Sequence, residues 1–376
     1  MALTESTMDV LGAYSLTVGS ICLVVHTTLK RRTDRVIEGV FSAGHDLGLL
    51  AGLLRRIEAE AFSSPYLQTL REELVKDSRP ASSRIASLRL FVDLLNFRRN
   101  EIMKLLGPLL LWDLHLSCAI EQWRRLSGPR IRRWLDAVGE IEATASLACY
   151  CYERPHNVFP EVFPERVAES PLFEAEALGH PLLPEDRVVA NDVMLGSELR
   201  VLIVSGSNMS GKSTLLRTIG INAVLAQAGA PVCAQRLRLS PLTVGASIRI
   251  QDSLQEGTSR FYAEISRLSD IMTRAGGQPP VLFLIDECLH GTNSHDRLIG
   301  AKAVVRGLVD RGAIGLITTH DLALTQIVDT LAPRAANVHF QDYLEHGRMR
   351  FDYRLRQGVV QHSNALELMR SVGLDV

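Results

Sequence analysis

Residues 206–213, Gly206-Ser207-Asn208-Met209-Ser210-Gly211-Lys212-Ser213, have the types and spacing of a phosphate cradle. Glycines at the two ends let the backbone fold tightly, so that successive N–H groups point into one concavity at a helix N-terminus. A di- or triphosphate fits such a concavity. Lys212 is spaced to reach the β- and γ-phosphates, and the Ser213 hydroxyl, with Thr214 beside it, is spaced to meet a magnesium ion. The loop carries this meaning only between a strand and a helix. Val201-Leu202-Ile203-Val204-Ser205 is an apolar, β-branched run of the kind that makes a buried strand, and a helical pattern follows Ser213. An incidental glycine-rich turn would have neither neighbour, so we read a P-loop for a di- or triphosphate with Mg2+.

Two further strand ends carry groups that phosphate chemistry needs. Val281-Leu282-Phe283-Leu284-Ile285 runs into Asp286-Glu287. Asp286 at that tip is suited to the magnesium shell and Glu287 to polarising the attacking water, whereas a merely surface acidic pair would not follow a buried strand. Ile314-Gly315-Leu316-Ile317 leads into Thr318-Thr319-His320. In an open α/β sheet a histidine at the carboxyl end of a strand lies on the ligand side, where His320 can sense a γ-phosphate; a capping histidine is the alternative. Finally, Phe261, Ile265, Leu268 and Ile271 mark one helical face, which makes Gly257-Thr258-Ser259 the start of that helix. This second anion site suits closure over the nucleotide of another subunit, with Ser259 at its tip.

The rest of the chain must position these groups. At 376 residues with 46% apolar side chains it has room for two or three domains, and a net charge of −1 excludes a global positive field. Six cysteines without metal-ligand spacing read as free thiols of a reducing cytoplasm. Val10 to Leu29 carries no charge and ends in Lys30-Arg31-Arg32. It is either a membrane span, which would put the P-loop on the cytoplasmic side, or a helix buried in a bundle; its Thr and Ser residues favour the bundle. Glu5 and Asp9 argue against a signal peptide. We therefore expect a 1–32 apolar helix, and a helical 33–152 domain of long, lever-like helices broken at Arg79-Pro80, Gly107-Pro108 and Gly128-Pro129. A 153–184 connector and a 185–376 α/β P-loop NTPase domain complete the division. Arg98, Arg99, Arg124, Arg125, Arg132 and Arg133 could touch phosphates, but paired arginines on helices more often form a solvated face.

Together these residues resemble the ATPase domain of the MutS family of DNA mismatch-repair proteins, a relative of the ABC-type ATPases. Asn208-Met209 within the P-loop is similar to that family's loop, and Asp286-Glu287 followed by Gly291-Thr292-Asn293-Ser294 resembles its acidic strand end. Asp296 stands in the place of that loop's nucleotide-contacting aspartate, Thr319-His320 resembles the family's Thr-His, and Gly257-Thr-Ser259-Arg-Phe261 its signature loop. Gly179-His180-Pro181, Ala190-Asn191 and Ala145-Ser146-Leu147-Ala148 look like the segments leading into the domain, so the likeness covers roughly residues 140–376. It implies Mg-ATP hydrolysis, a homodimer through the ATPase face, Ser259 reaching the partner's γ-phosphate, and a role on duplex DNA. Val188 stands where the family has an adenine-stacking aromatic, so a weaker grip on the base is expected. The Phe159-Pro160-Glu161 and Phe163-Pro164-Glu165 triplets fall beside the ATPase and are not the family's mismatch wedge. With no mismatch-binding domain before the levers and no helical extension after Arg370, weak mismatch preference and weak dimerisation are expected. The rival readings are an ABC-type ATPase driving a membrane partner, or a membrane-tethered relative without a DNA role.

Overall fold

The computed structural model describes residues 2–41, 44–98, 100–163, 170–248, 260–289, 292–345 and 348–360. By its contacts the chain divides into Met1–Leu147 and Ala148–Val376.

The first unit is helical: α1 (Ala2–Phe41), α2 (Gly44–Ala59), α3 (Pro65–Val75), α4 (Ala81–Phe97), α5 (Glu101–Leu106) and α6, which starts at Trp112 and continues to Glu153. Its core is built from Ile37, Leu54, Leu74, Ile85, Leu95 and Ile120, all nearly fully buried. Pro65 sits in the first turn of α3 and Pro80 caps α4, as expected where a missing N–H costs nothing. Gly128-Pro129 does not break the chain as its composition suggested: α6 runs straight through it, 42 residues long. A single proline removes one intrahelical hydrogen bond, and the turns on either side are long enough to carry the helix past it. Conversely, the segment from Ser83 to Leu106 is not one helix, because Asn100 caps a new one by accepting the N–H of Ile102 at 3.0 Å.

Over residues 16–29 of α1 the helix is present but burial is not: Leu16, Ile21 and Val24 are 74, 62 and 61% exposed. Gly19, Cys22, Val25, His26 and Leu29 are half-buried there, and burial begins at Thr33. Among the described residues no helix is long and apolar enough to cross a membrane. Three of the arginines expected on a solvated face pair with acidic neighbours there: Arg98 with Asp113 at 3.4 Å, and Arg124 and Arg125 with Glu121 at 3.3 and 3.8 Å.

The second unit contains β1 (Glu161–Val162), β2 (Phe173–Leu178), β3 (Asn191–Leu195), β4 (Val201–Ser205), α7 (Lys212–Gln227), β5 (Arg236–Leu239), β6 (Thr243–Ser247), α8 (Arg260–Arg274) and β7 (Val281–Ile285). It continues with α9 (Ser294–Asp310), β8 (Ile314–Thr319), α10 (Leu322–Thr325), α11 (Ile327–Leu331), β9 (Ala335–Glu345) and β10 (Arg348–Gln357). The main sheet has the order β10-β9-β4-β8-β7-β6, parallel except for the β9–β10 hairpin. A smaller sheet, β1-β5-β2-β3, draws β1 and β2 from the segment read as a connector.

The sheet is parallel because its strands are apolar on both faces: every residue of β4, β7 and β8 is buried. One face packs on α7 through Leu215, Leu216 and Ile219, the other on α8, α9 and α11 through Leu268, Val305 and Ile327. Gly315 in β8 has a packing reason, since a Cβ there would run into the carbonyl of Phe283 on β7. Side by side, β4, β8 and β7 bring three loops together at their carboxyl ends.

Candidate functional site

The first loop joins β4 to α7. Gly206 and Gly211 have φ of 148° and 108°, which a side chain resists, and Met209 between them adopts a left-handed φ of 68°. Room is equally tight, for a Cβ on Gly206 would approach the Ser210 Oγ at 2.9 Å and the Phe340 carbonyl at 3.0 Å. The result is a loop wrapped around its own helix start. The Lys212 ammonium donates to the carbonyls of Gly206 and Ser207, both at 2.8 Å, and lies 3.9 Å from Glu287 Oε1. Burial lowers the Lys212 pKa, while Glu287 and Asp286 hold it up. Beside it the Ser207 and Ser210 hydroxyls are buried without a hydrogen-bond partner. Unpartnered donors, a buried ammonium and a helix N-terminus form a site suited to an oligophosphate.

The second loop follows β7. Asp286 and Glu287 line the same cleft of about 710 Å³ as Asn208, Met209, Gly211, Lys212, Ser213 and Thr214. The third follows β8, where the exposed His320 brings Nδ1 to 3.4 Å from Glu287 Oε1. Lys212, Glu287 and His320 thus form one chain of contacts; Asp286 and Ser213 share the cleft with Lys212 and Glu287, whereas His320 reaches it only through Glu287. Among the described residues no three His, Cys, Asp or Glu side chains cluster as a ready-made metal cage. That suits magnesium at a nucleotide, which takes one or two protein oxygens and completes its shell with phosphate and water. Ser213 and Asp286 are the residues that would hold it.

Not every candidate joins the site. Asp296 stands exposed in the first turn of α9, away from the cleft, in a reciprocal cap: its N–H donates to Asn293 Oδ1 at 2.9 Å, and Asn293 Nδ2 donates to Asp296 Oδ2 at 2.7 Å. Gly257, Ser259 and Gly291 lie outside the described residues.

The cleft also contains Val188, singled out above, and two groups that pattern reading did not select, Tyr353 and Glu264. Val188 lines it as an apolar wall, and the ring of Tyr353 comes from β10, where the hairpin register shifts between Phe351 and Leu355. Tyr353 has a φ of 55°, and Asn191 clamps the irregularity by donating to its carbonyl at 3.0 Å and accepting the N–H of Leu355 at 2.7 Å. The ring edge lies 3.2 Å from where a Cβ on Gly211 would stand. Glu264 on α8 lines the cleft as a buried carboxylate whose Oε1 accepts the N–H of Leu289. In sequence it is one acidic residue of an amphipathic helix, with nothing to distinguish it from a solvated one.

A parallel sheet with a phosphate cradle at its central strand, an acidic pair at the second strand and a histidine at the third defines a P-loop nucleotide-binding domain. Comparison with known proteins narrows the class: residues 202–375 match the model of MutS domain V. The chain is 32% identical over 254 residues, 65% of its length, to an endonuclease MutS2 of Thermus thermophilus. It is 36% identical over 203 residues, 52% of its length, to a DNA mismatch repair protein MutS 2 of Halobacterium salinarum. With a DNA mismatch repair protein MutS of Geobacillus thermodenitrificans it shares 30% over 270 residues, 70% of its length. The matches span 31, 23 and 29% of those three relatives. The chain belongs to the MutS family, and its second unit carries that family's P-loop ATPase domain.

Proposed function

We propose that the protein binds and hydrolyses Mg-ATP at the cleft between the P-loop and the acidic strand end, and couples that cycle to DNA in a process related to mismatch repair. The observation that carries this reading is the contact chain Lys212–Glu287–His320, closed over a cradle whose Ser207 and Ser210 hydroxyls lack partners.

In this mechanism Lys212 exchanges the Gly206 and Ser207 carbonyls for phosphate oxygens, which offsets the cost of burying its ammonium. The Ser213 hydroxyl and the Asp286 carboxylate would hold magnesium, which would supply neutralisation of the phosphate charge. Glu287 orients and polarises the attacking water, and His320 restrains the Glu287 carboxylate from the solvent side. Tyr353 supplies an aromatic face for the base in a cleft where Val188 offers only an aliphatic one.

The helical unit is proposed to act as levers that grip duplex DNA, and Ser259 to complete the site of a second subunit. The names of the relatives, mismatch repair proteins and an endonuclease, support the DNA-linked reading. A cytoplasmic protein suits it, and no described helix favours a membrane-tethered alternative.

Two variants test the chemistry. Lys212→Ala should lower ATP affinity about 100-fold, roughly 2.7 kcal/mol. Glu287→Gln should keep that affinity and lose about 100- to 10,000-fold in kcat. Equal ATP affinity of Lys212→Ala and wild type would sink the assignment. The DNA-linked reading is tested by binding to matched and singly mismatched duplexes at two salt concentrations with and without ATP; no binding in any condition would overturn it.

A further inference from the structure

Thr318 is the fifth residue of β8 and has no solvent exposure. The residues before it in the strand, Leu316 and Ile317, are aliphatic, and valine would fill the same volume without a hydroxyl to desolvate. Buried threonine hydroxyls usually return to the backbone of their own helix or turn, as those of Thr218 and Thr325 do here, to Thr214 and Leu322. That of Thr318 instead crosses to β7. Its Oγ1 donates to Asp286 Oδ1 at 2.6 Å and accepts the backbone N–H of Glu287 at 3.0 Å.

The direction of the two bonds follows from chemistry. An ionised carboxylate can only accept, so the single hydroxyl proton goes to Asp286, and a lone pair is left for the Glu287 amide. The amide, the hydroxyl and the carboxylate form one polarised relay. It is also where the β7–β8 ladder ends: Leu284 and Ile285 pair with Leu316 and Ile317, and the next step is made by a side chain. At that step Glu287 takes a left-handed φ of 49°. A non-glycine residue holds such a φ only when its surroundings over-determine it, and the Thr318 hydroxyl is one of the contacts doing so. Asp286 is held from the other side as well, its N–H donating to the Ser247 carbonyl at 2.9 Å.

We propose that Thr318 is a positioning residue for the acidic pair: its hydroxyl orients the Asp286 carboxylate towards magnesium and pins the backbone of Glu287 so that its side chain faces the cleft. The proposal rests on the Mg-ATP reading above. With Oδ1 of Asp286 engaged, the second oxygen is the one offered to the metal. Thr318 itself touches no substrate, and its role is felt through the two residues it ties together.

The test compares Thr318→Val, which keeps shape and removes the hydroxyl, with Thr318→Ser, which keeps the hydroxyl. Outer-shell partners of metal ligands are commonly worth 10- to 100-fold in metal affinity or activity. Thr318→Val should therefore lower kcat about 10- to 100-fold and raise the magnesium concentration for half-maximal binding of a fluorescent ADP analogue about tenfold. Binding of the analogue in EDTA should stay within about twofold of wild type, because the cradle is untouched. Thr318→Ser should restore both properties to within about threefold of wild type. A valine variant with wild-type kcat and magnesium dependence would overturn the proposal, as would a serine variant damaged as much as the valine one. Thr318→Ala, which adds no atoms, takes the valine variant's place if that protein loses metal-free binding. A wild type that binds Mg-nucleotide without hydrolysing it would overturn the ATPase reading, and the magnesium dependence would still decide the role of Thr318.

Discussion

Two loops face each other across the cleft, and both contain residues with positive φ, yet they reach that conformation by different means. In the P-loop two of the three positive-φ positions are glycines, Gly206 and Gly211, with Met209 the exception, so most of the shape comes at little conformational cost. In the acidic loop Glu287 and Leu289 carry φ of 49° and 60°, and neither residue favours it. There the shape is imposed from outside, by Thr318 on the Glu287 amide, by Glu264 on the Leu289 amide, and by burial of the Leu289 side chain against the core under α9. One loop is encoded locally and the other is held by its neighbours. Residues far from Glu287 in sequence should therefore control the acidic loop, and residues within the P-loop should control the cradle.

The largest effect should come from breaking the local encoding. Gly211→Ala places a Cβ at φ 108° and 3.2 Å from the Tyr353 ring, so the amides of the cradle must turn. We expect at least a 100-fold loss of nucleotide affinity, about 2.7 kcal/mol or more, read by titration with a fluorescent nucleotide. Retention of affinity would mean that the glycine is not what sets the loop.

Breaking the neighbour-held loop should be milder and of a different kind. Gly300 lies inside α9, where alanine would ordinarily favour the helix by about 1 kcal/mol. A Cβ there overlaps Leu289 Cδ1, however, and Leu289 is the buried end of the acidic loop. Gly300→Ala should destabilise the fold by about 1–3 kcal/mol, the usual cost of overpacking, and reduce kcat more than nucleotide affinity. Gly307→Ala in the same helix meets the flexible tip of Met272 at 2.7 Å and is the control, with little change expected in kcat. Equal kcat in both variants would show that the acidic loop is not held through Leu289.

The smallest effect is a dependence on pH. Burial, reinforced by the Glu264 carboxylate, pushes the Cys288 thiol from 9.0 up to about 12. Between those values the unfolded chain releases a proton that the folded loop retains, so this group's contribution to stability falls as pH rises above 9, by at most about 1.4 kcal/mol per pH unit. Cys288→Ala removes that dependence. The variant should be less stable than wild type near pH 8, through a small cavity, and the deficit should narrow from pH 9 to 10.5 in urea melts. A deficit constant over that range would place the thiol in a wetter setting than the loop implies.

The same contrast separates what could be read from residue order from what could not. The strand, glycines, lysine and serine of the cradle are contiguous, and backbone preferences together with burial of β4 settle their structure within a few residues. The strand ends carrying Asp286, Glu287 and His320 were legible for the same reason, since a doubly buried parallel strand is an apolar run that stops at the ligand side. Tyr353, Glu264 and Thr318 were not legible as part of the site. Each depends on which strands and helices become neighbours: a hairpin irregularity clamped by Asn191, a helix packed beneath a loop, and a hydroxyl lying opposite the end of an adjacent strand. Asp296 shows the converse, a motif position whose place in the first turn of α9, bonded to Asn293, no local pattern announced. In the helical unit the uncharged run from Val10 to Leu29 was legible as a helix, but apolar composition overstated its burial, because composition does not register whether another element lies across the outer face. Sequence by itself determined the chemistry available at each strand end. Tertiary structure decided which groups hold that chemistry in place, because hydrogen bonds across strands and packing between elements are relations that no local window of residues contains.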